Sequence, residues 1–528
     1  MVRDFSTHNL IFFNYLTSPP VMTMLFVIAW NPNIFPGADF NMTLLIWGVL
    51  GTFMFLAYAI IYAAFPRSGA DYVFQSRVLH PAIGFASTAA AWFIYSLWFI
   101  ALEGTTFVTY ILVPFFDTLA HVTANPTYVA LSNNIVSTST VTLLSYGYII
   151  ALGLVVMAGP RVYIKIQNVF MVLTVVSTIT LFALLATTHQ AFVANFNAYM
   201  AKGLGSADSY NFILSAARQA GYNLAPPFSL WATVGAVMVA WTFALEWPVF
   251  GNLGLGGELK NANLVKTHAV TMLVTYYAVI VTSAIIWNLY IRMVGPDFLN
   301  AVALLTWNGS SIFSNLNPLF STAPTVFIIG AGTNNLPLLG IFAITTSLSI
   351  ASTSMTIYFL TTRMLFAQSF DRLWPTKLAY VSSRWHSPTY AALVMIICTC
   401  IWEYGVEYYP TVVYHYLAST QFQTSFTMML TMFGALIFKR RLKQIYNTSA
   451  TARYGKLLIL CATVGILTNL IVIYYLFAVP ALGALVPDSI SLIVGVFTLL
   501  IVYYFIVKAY WKTKGIDLRL AFGQIPPA

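Results

Sequence analysis

The chain has 528 residues, of which 59% are hydrophobic and only 7% are charged. Soluble globular proteins carry about 25% charged residues, so this composition excludes a soluble protein and indicates a membrane protein. The formal net charge of +10 comes from basic residues spread along the whole chain, which argues against a nucleic acid partner.

Taken in chain order, twelve apolar runs are long enough to cross a bilayer as helices, which takes about 20 residues each. The runs are 10–30, 42–65, 82–114, 141–159, 165–187, 231–254, 267–292, 337–367, 389–404, 409–438, 455–479 and 489–511. They are too long for the alternating strands of a membrane barrel. The predicted fold class is therefore an all-α polytopic membrane protein with twelve transmembrane helices.

The positive charges alternate along these spans. If the N-terminus is cytoplasmic, 21 of the 24 Lys and Arg residues lie in cytoplasmic loops or termini, and the exceptions are Lys202, Arg218 and Arg292. By the positive-inside rule, we predict a multi-pass protein of the plasma membrane with both termini cytoplasmic and with membrane lipid as a partner. Apolar stretches in the outer loops 188–230 and 293–336 predict additional short helices there.

Residues typical of metal sites and enzyme active sites are sparse. The three cysteines, Cys398, Cys400 and Cys461, lie in apolar runs and are interpreted as buried apolar residues. The sequence contains no HExxH, GxSxG or GxxxxGK[ST] motif. We therefore expect no metal, no cofactor, no enzymatic activity and no direct use of ATP.

Two of the predicted spans contain prolines near their middles. In the first span, Pro19 and Pro20 follow Leu16, whose carbonyl then has no N–H donor in its own helix. In the sixth span, Pro248 leaves the carbonyl of Ala244 in the same state. Interrupted helices at matching places in two halves of a chain indicate a transporter substrate site. The alternative is a plain proline kink without function.

Four motifs lie at the predicted cytoplasmic ends of the spans. They are Phe65-Pro66-Arg67-Ser68-Gly69-Ala70-Asp71-Tyr72 with Gly84-Phe85, Gly159-Pro160-Arg161 with Lys165-Ile166-Gln167-Asn168, Gly257-Glu258-Leu259-Lys260-Asn261, and Arg363-Met364-Leu365-Phe366-Ala367 with Asp371, Leu373, Pro375 and Pro388. Together and in this order, the motifs resemble those of the amino acid–polyamine–organocation (APC) permeases. The resemblance covers roughly residues 10 to 440.

The resemblance implies a leucine-transporter-like fold, in which two five-helix repeats of inverted orientation are followed by two further helices. The implied segments are a cytoplasmic arm 1–9, a first repeat 10–187, an extracellular loop 188–230, a second repeat 231–438, two additional helices 439–511 and a cytoplasmic tail 512–528. The resemblance also implies amino acids, polyamines or organic cations as substrates, bound centrally between helices one, three, six and eight.

The candidate substrate-binding residues lie on three of these helices. They are Thr17, Ser18 and Pro19 at the first break, Tyr95 and Phe99 on helix three, and Trp241, Phe243, Ala244 and Glu246 on helix six. Many family members have a Gly-rich first break with free N–H groups, so the hydroxyl groups here would take over part of the carboxylate binding. An aromatic side chain of helix six would close over the substrate, although ordinary helix packing explains these aromatic residues equally well.

Glu103 and Glu246 are predicted at membrane depth, without a Lys or Arg deep enough to pair with either. Each would meet a substrate amine or carry a proton, unless it only caps backbone groups in a packed interior. Glu103 shares a helical face with Tyr95 and Phe99 because the three recur every four residues. Some family members have a lysine in helix five at the place that Thr174 occupies here.

The hypothesis is a secondary amino acid or amine transporter that works by alternating access as a proton symporter, with Glu246 or Glu103 as the coupling residue. Two alternatives within the class are an uncoupled exchanger and a sodium-coupled carrier. The hydroxyl groups proposed for sodium are those of Ser349, Ser352, Thr353 and Ser354. From other classes, a channel or a membrane-embedded enzyme is the less favoured reading.

Overall fold

The computed structural model describes residues 3–313 and 324–523, without the side chains at 121, 202, 203, 324 and 411–415. Within these ranges the chain is almost entirely helical, and its β-pairing consists of two isolated bridges. The bridges join Phe5 to Leu259 and Ser68 to Leu255.

Eleven helices of the described chain are long and apolar enough to cross a membrane. With the helix that follows the ninth of them, they are numbered α1 (Thr7–Ile34), α2 (Phe40–Ala64), α3 (Pro81–Ala120), α4 (Thr138–Met157), α5 (Pro160–Leu185), α6 (Leu230–Leu255), α7 (Val265–Val294), α8 (Leu336–Phe370), α9 (Thr389–Tyr408), α10 (Pro410–Arg441), α11 (Ala450–Ala478) and α12 (Pro487–Thr513). The helix α10 has 32 residues but is not among the eleven, so the count of twelve spans stays a prediction.

Connecting segments gather at the two ends of the helix bundle. The basic end carries the Lys- and Arg-bearing segments 65–80, 256–264, 371–388 and 442–449. The far end carries the short helices Pro126–Ile135, His189–Leu204, Ser209–Gln219, Pro296–Trp307 and Pro324–Thr333. The short helices expected in 188–230 and 293–336 are therefore present.

The helices α1 and α6 lie at the centre of the bundle, whereas α12 lies at its edge. In the most apolar 18-residue window of each helix, 83% of α1 and 94% of α6 is buried, against 17% of α12. On outer helices, large apolar side chains such as Leu143 and Leu499 are 71% and 70% exposed. Such faces suit the hydrocarbon of a bilayer, so a polar site has to lie inside, along α1 and α6.

The two central helices are both irregular near their middles, in different ways. The first half of α1 ends at Thr17 and the second begins at Pro20, which leaves Ser18 and Pro19 outside the helix. The chain of α6 stays wound but changes to a π-helix over Trp241–Leu245 and to a 3₁₀-helix over Trp247–Val249. Helix breaks expected from the prolines thus take the form of a gap in α1 and of altered winding in α6.

Candidate functional site

The gap in α1 leaves one hydroxyl group with unused hydrogen-bonding capacity. The carbonyl of Leu16, which the prolines free, accepts a hydrogen bond of 2.9 Å from the hydroxyl of Thr353 on α8. The hydroxyl of Thr17 donates to Phe13 of its own helix, at 2.7 Å. The hydroxyl of Ser18 is buried and has no partner among the described residues, so Ser18 is the polar side chain of the gap that is free to bind a ligand.

The second half of α1 begins at this gap. Its first residue, Pro20, has no N–H, and the amides of Val21 and Met22 have no acceptor within the helix because they precede its first complete turn. The hydroxyl of Thr23 donates to the carbonyl of Phe243 at 3.3 Å, which joins this half-helix to α6. A helix N-terminus of this kind carries partial positive charge and favours an anionic group.

An aromatic group lies beside the gap, contributed by α1, α3 and α6. Phe243 stacks on Phe26 with ring centroids 5.0 Å apart. Phe99 lies 6.1 Å from Phe243 and 4.5 Å from Trp247, and Tyr95 lies 5.6 Å from Phe99. All five rings are buried. The structure therefore brings together three of the residues predicted for the site, namely Tyr95, Phe99 and Phe243.

Two other predicted residues of α6 lie outside this aromatic group. Trp241 is buried against Trp47 of α2, with ring centroids 5.0 Å apart. Ala244 is buried without a side chain that could reach a ligand. Trp247 was not predicted, although its position three residues after Ala244 places it on a neighbouring face of the same helix. The gating role of Trp241 stays a prediction.

Glu246 is fully buried at the junction between the π-helix and the 3₁₀-helix of α6. One of its carboxyl oxygens accepts a hydrogen bond of 3.2 Å from Gln421 of α10. The side chains of Trp241, Trp247 and Thr424 also face this carboxyl, but none of them is within hydrogen-bond geometry of the other oxygen, Oε1, in the described part of the chain. No ion pair involving this carboxyl occurs there. The contact with Gln421 could not be inferred from the sequence because 175 residues separate the two.

Glu103 is also buried, on α3, and its partners are hydroxyl groups. Ser354 of α8 donates a hydrogen bond to the carboxyl of Glu103. Tyr148 of α4 in turn donates to the hydroxyl of Ser354 at 2.8 Å. This carboxyl has no ion-pair partner among the residues that the structure describes.

The hydroxyl groups of α8 proposed for sodium binding all donate to protein acceptors or accept from neighbours. Ser349 accepts from Thr174 of α5 at 3.0 Å, and Ser352 donates to the carbonyl of Ser349 at 2.6 Å. Thr353 and Ser354 bind the gap in α1 and the Glu103 carboxyl as described. Over the described ranges, no group of three or more His, Cys, Asp and Glu residues is arranged to hold a metal ion.

The basic end is closed by a buried ion pair between two of the motifs. Arg363 of α8 contacts Glu258 with an Nε–Oε1 distance of 2.8 Å, and both side chains are fully buried. The N-terminal arm joins this segment because the amide of Phe5 donates to the carbonyl of Glu258 at 3.1 Å. The amide of Lys260 returns a bond of 2.9 Å to Phe5. The arm and the segment after α6 are thereby held against α8.

A second buried ion pair lies at the same end. Arg77 binds Asp371 through two hydrogen bonds of 2.6 and 3.0 Å, and the hydroxyl of Tyr72 donates to the same carboxyl at 2.6 Å. This pair joins the helix Ala70–Val78 to the end of α8. The two buried ion pairs therefore hold the segments after α2 and α6 against α8 at the basic end of the bundle.

Comparison with known proteins gives a family and a fold. The family model described as "Amino acid permease" matches residues 21–506. Among solved structures, the crystal structure of MhsT in complex with L-phenylalanine is similar, with a TM-score of 0.50, 15% sequence identity, and coverage of 89% of this chain and 98% of that chain. No curated protein matches this chain in sequence. At this level of identity the likeness shows the fold alone, and the predicted leucine-transporter-like fold class is confirmed without its exact number of helices.

Proposed function

Because the chain belongs to the amino acid permease family, we propose that it is a secondary active transporter that carries amino acids or related amines by alternating access and couples their transport to protons. The chain is a multi-pass membrane transporter and not an enzyme. The observation that carries the proposal is the gap in α1, where an unpartnered hydroxyl and a half-helix N-terminus lie against α6, the helix that also carries the buried carboxyl of Glu246.

The gap supplies the groups that a substrate carboxylate needs. The Ser18 hydroxyl can donate one hydrogen bond, and the amides of Val21 and Met22 point along the axis of the second half-helix toward its N-terminal end. A carboxylate bound there also gains from the positive end of the half-helix, as in transporters with discontinuous helices. Thr17 contributes less, because its hydrogen is already donated to Phe13.

The substrate ammonium group would be bound by Glu246. Its free Oε1 atom can accept a hydrogen bond, and an ammonium group would supply the positive charge that the protein does not place beside this carboxyl. A carboxyl in a dry interior otherwise takes up a proton. Substrate binding and proton binding at Glu246 are therefore linked, and Glu103 offers a second carboxyl for the proton.

The aromatic group predicts the side chain that the substrate carries. Phe26, Phe99, Phe243 and Trp247 present apolar ring surfaces to one another, and such surfaces favour apolar or aromatic side chains. L-phenylalanine, which is bound in the similar MhsT structure, is therefore the first compound to test.

The proposed orientation of the protein in the membrane rests on the distribution of its Lys and Arg residues. The basic end would face the cytoplasm by the positive-inside rule, and both termini would lie there, in a plasma membrane. In this orientation, the ion pairs Glu258–Arg363 and Asp371–Arg77 close the cytoplasmic exit. Alternating access would require these pairs to separate when the substrate leaves.

The test is uptake of radiolabelled L-phenylalanine into proteoliposomes that contain the purified full chain, together with a thermal-shift screen of other amino acids and amines. A transporter gives saturable uptake and counterflow, and a ligand that binds only the folded protein raises its melting temperature. Uptake that does not saturate would indicate a channel instead. Absence of both binding and uptake across the amino acid and amine set would contradict the proposed substrate class.

A sodium-coupled carrier is the second candidate, because one observation favours it. The carbonyl of Leu16 and the hydroxyl groups of Thr353 and Ser349 provide oxygen atoms from α1 and α8 at the gap, and oxygen atoms are the ligands that hard cations require. Accumulation that responds to an imposed sodium gradient and not to a pH gradient would support this candidate.

A further inference from the structure

A second group of carboxyls lies in the far-end half of α9, outside the site described above. Glu403 is fully buried, and Glu407 follows it one helical turn later. The hydroxyl of Thr105 on α3 lies 3.4 Å from Oε1 of Glu403 and 2.5 Å from Oε1 of Glu407. Since a hydroxyl has one hydrogen, Thr105 can donate to only one of the two carboxyls at a time.

The described side chains place no positive charge beside this acid pair. Among the described side chains, neither Glu403 nor Glu407 has an ion-pair partner. Two carboxylates that approach one hydroxyl in a largely dry environment repel each other, so ionisation of both is strongly disfavoured. A shared proton removes this repulsion.

An independent polar group faces the same carboxyl from α4. Ser145 is fully buried, and its hydroxyl faces the carboxyl of Glu403 and has no other partner in the described structure. The close approach depends on Gly104 of α3, since a Cβ atom there would lie 3.1 Å from Cβ of Ser145. Oε2 of Glu403 also lacks a partner. The Ser145 hydroxyl and the Glu403 carboxyl thus face each other where a proton could be bound.

The remaining titratable groups described around the acid pair are tyrosines and a cysteine, whose side chains cannot carry a positive charge. From the helices packed against this part of α9, and from α9 itself, they are Tyr146, Tyr148, Tyr358, Cys400, Tyr404, Tyr408 and Tyr416. A change in the charge of the pair is therefore not compensated by a basic neighbour among the described side chains.

Hydroxyl groups of α4 and α8 lie between this acid pair and Glu103. Tyr148 lies one turn beyond Ser145 on α4 and interacts electrostatically with both Glu403 and Glu103. The Tyr148 hydroxyl donates to Ser354, and Ser354 donates to the Glu103 carboxyl. The Tyr148 and Ser354 donors therefore both point toward Glu103, which is the order that proton transfer to Glu103 requires.

We propose that Glu403 and Glu407 form the site where the coupling proton enters the transporter, and that Ser145, Tyr148 and Ser354 pass it to Glu103. A proton from water at the far end binds the Glu407 carboxylate and reaches Glu403 through Thr105. Each hydroxyl accepts one proton and gives up its own, so that Glu103 ends as a carboxylic acid and no group is oxidised or reduced. The entry site is separate from the substrate gap, and its role rests on the proton coupling proposed above.

The proton site is tested without any substrate. Infrared absorption of protonated carboxyl groups is recorded on the purified full chain across a pH titration, for the unmutated protein, E403Q, E407Q and the double variant. We expect a titrating carboxylic-acid band that is lost or shifted in each variant. The conservative variant T109V is the control, because the Thr109 hydroxyl donates only to the carbonyl of Thr105. A band unchanged in the double variant would overturn the proposal.

The entry role is tested in proteoliposomes by comparing accumulation under an imposed pH gradient with exchange in its absence. Because positioned groups contribute about 10²-fold or more to proton transfer, we expect E403Q, E407Q and Y148F to lower gradient-driven accumulation at least about tenfold and to keep exchange within about twofold. We expect T105V to follow them and T109V to behave as the unmutated protein.

The two proposals fail in different ways. If the unmutated protein responds to the pH gradient and E403Q, E407Q and T109V accumulate substrate equally, the entry site is wrong and proton coupling stands. If the unmutated protein does not respond, the coupling and the entry role are both wrong, and the infrared titration alone decides whether the acid pair binds a proton.

Discussion

Two of the buried carboxyls at the basic end of the bundle are paired with arginines, whereas those nearer its middle are not. Glu258 contacts Arg363 at 2.8 Å and Asp371 contacts Arg77 at 2.6 Å. Those nearer the middle, Glu103, Glu246 and Glu403, have only neutral donors within the described structure.

The two kinds of buried carboxyl have different roles. A carboxyl that is paired with an arginine stabilises one conformation, whereas a carboxyl without an ion-pair partner can change its protonation state. A buried carboxylate beside an arginine keeps its charge, and separating the two leaves both uncompensated. The pairs at the basic end therefore favour the closed arrangement of that end. A buried carboxyl with neutral donors gains or loses a proton when its surroundings change, which suits it for coupling.

The largest effect should come from breaking the pair at the basic end. We expect R363M to destabilise the closed state by about 3–5 kcal/mol, because it leaves the Glu258 carboxylate buried and unpaired. Melting temperature in detergent measures the effect, and the double variant R363M/E258Q should recover much of the loss. Equal melting temperatures for R363M and the unmutated protein would show that the pair does not hold this end.

The exposed pair Arg519–Asp517 is the control for that experiment. Its N–O distance of 2.8 Å matches that of the buried pair, but the arginine side chain is 79% exposed. Exposed ion pairs add little stability because water and salt screen them. We therefore expect R519A to leave the melting temperature unchanged, which would attribute the effect of R363M to burial.

The second-largest effect should be the loss of substrate affinity when a ring of the aromatic group is truncated. We expect F243A to weaken L-phenylalanine binding about fivefold or more, as truncation of a buried aromatic contact does. W241A should weaken it less, because Trp241 packs against Trp47 of α2. Equilibrium binding of labelled ligand, with the melting temperature as a check on folding, compares the two. A larger loss in W241A would instead support the gate predicted from the sequence.

The neighbouring hydroxyl groups of Thr17 and Ser18 should also differ in how much each contributes to substrate affinity. Loss of a hydrogen bond to a charged group costs about 1.5–3 kcal/mol, so S18A should raise the dissociation constant about tenfold or more. T17V should raise it much less, because the Thr17 hydroxyl already donates to Phe13. The same binding assay measures both variants, and a larger effect of T17V would place the carboxylate elsewhere.

The spans and the gap could be predicted from the sequence because both depend on local features. Uninterrupted apolar runs of sufficient length have few alternatives to a membrane-spanning helix. The Pro19–Pro20 pair removes two backbone donors wherever it occurs. The altered winding of α6 was less accurately foreseen, because Pro248 is accommodated by π- and 3₁₀-turns that depend on packing.

The partners of the site residues could not be predicted, because they lie far away in sequence. Thr353 binds Leu16 across 337 residues, and Ser354 binds Glu103 across 251. Glu403 was missed because it lies near the end of a predicted span, where a carboxyl usually reaches water. The signal that could have found it is Glu407 one turn later, which places two acids on one face of an apolar helix.

The smallest effect concerns Asp71, which lies in the helix Ala70–Val78 between α2 and α3. Burial raises the pKa of Asp71 to about 6, although Thr431 and Trp92 donate hydrogen bonds to its carboxyl. The folded protein then binds this proton more tightly than the unfolded chain does, so stability falls as pH rises from about 4 to about 6.

We therefore expect D71N to melt at a slightly higher temperature than the unmutated protein at neutral pH, with the difference shrinking as the pH is lowered to about 4. Parallel melting curves of the two proteins across this pH range measure the effect. A difference that does not depend on pH would show that Asp71 does not titrate in this window.

The most direct measurement of the central claim is accumulation of L-phenylalanine in proteoliposomes under an imposed pH gradient, for the unmutated protein and for E246Q. Glutamine keeps the shape of the side chain and mimics the protonated carboxyl. If Glu246 carries the proton, E246Q should lose gradient-driven accumulation and keep exchange. If it only binds the amine, binding itself should weaken. Accumulation in the unmutated protein that responds to neither a pH gradient nor a sodium gradient would contradict coupled transport and leave an uncoupled exchanger in its place.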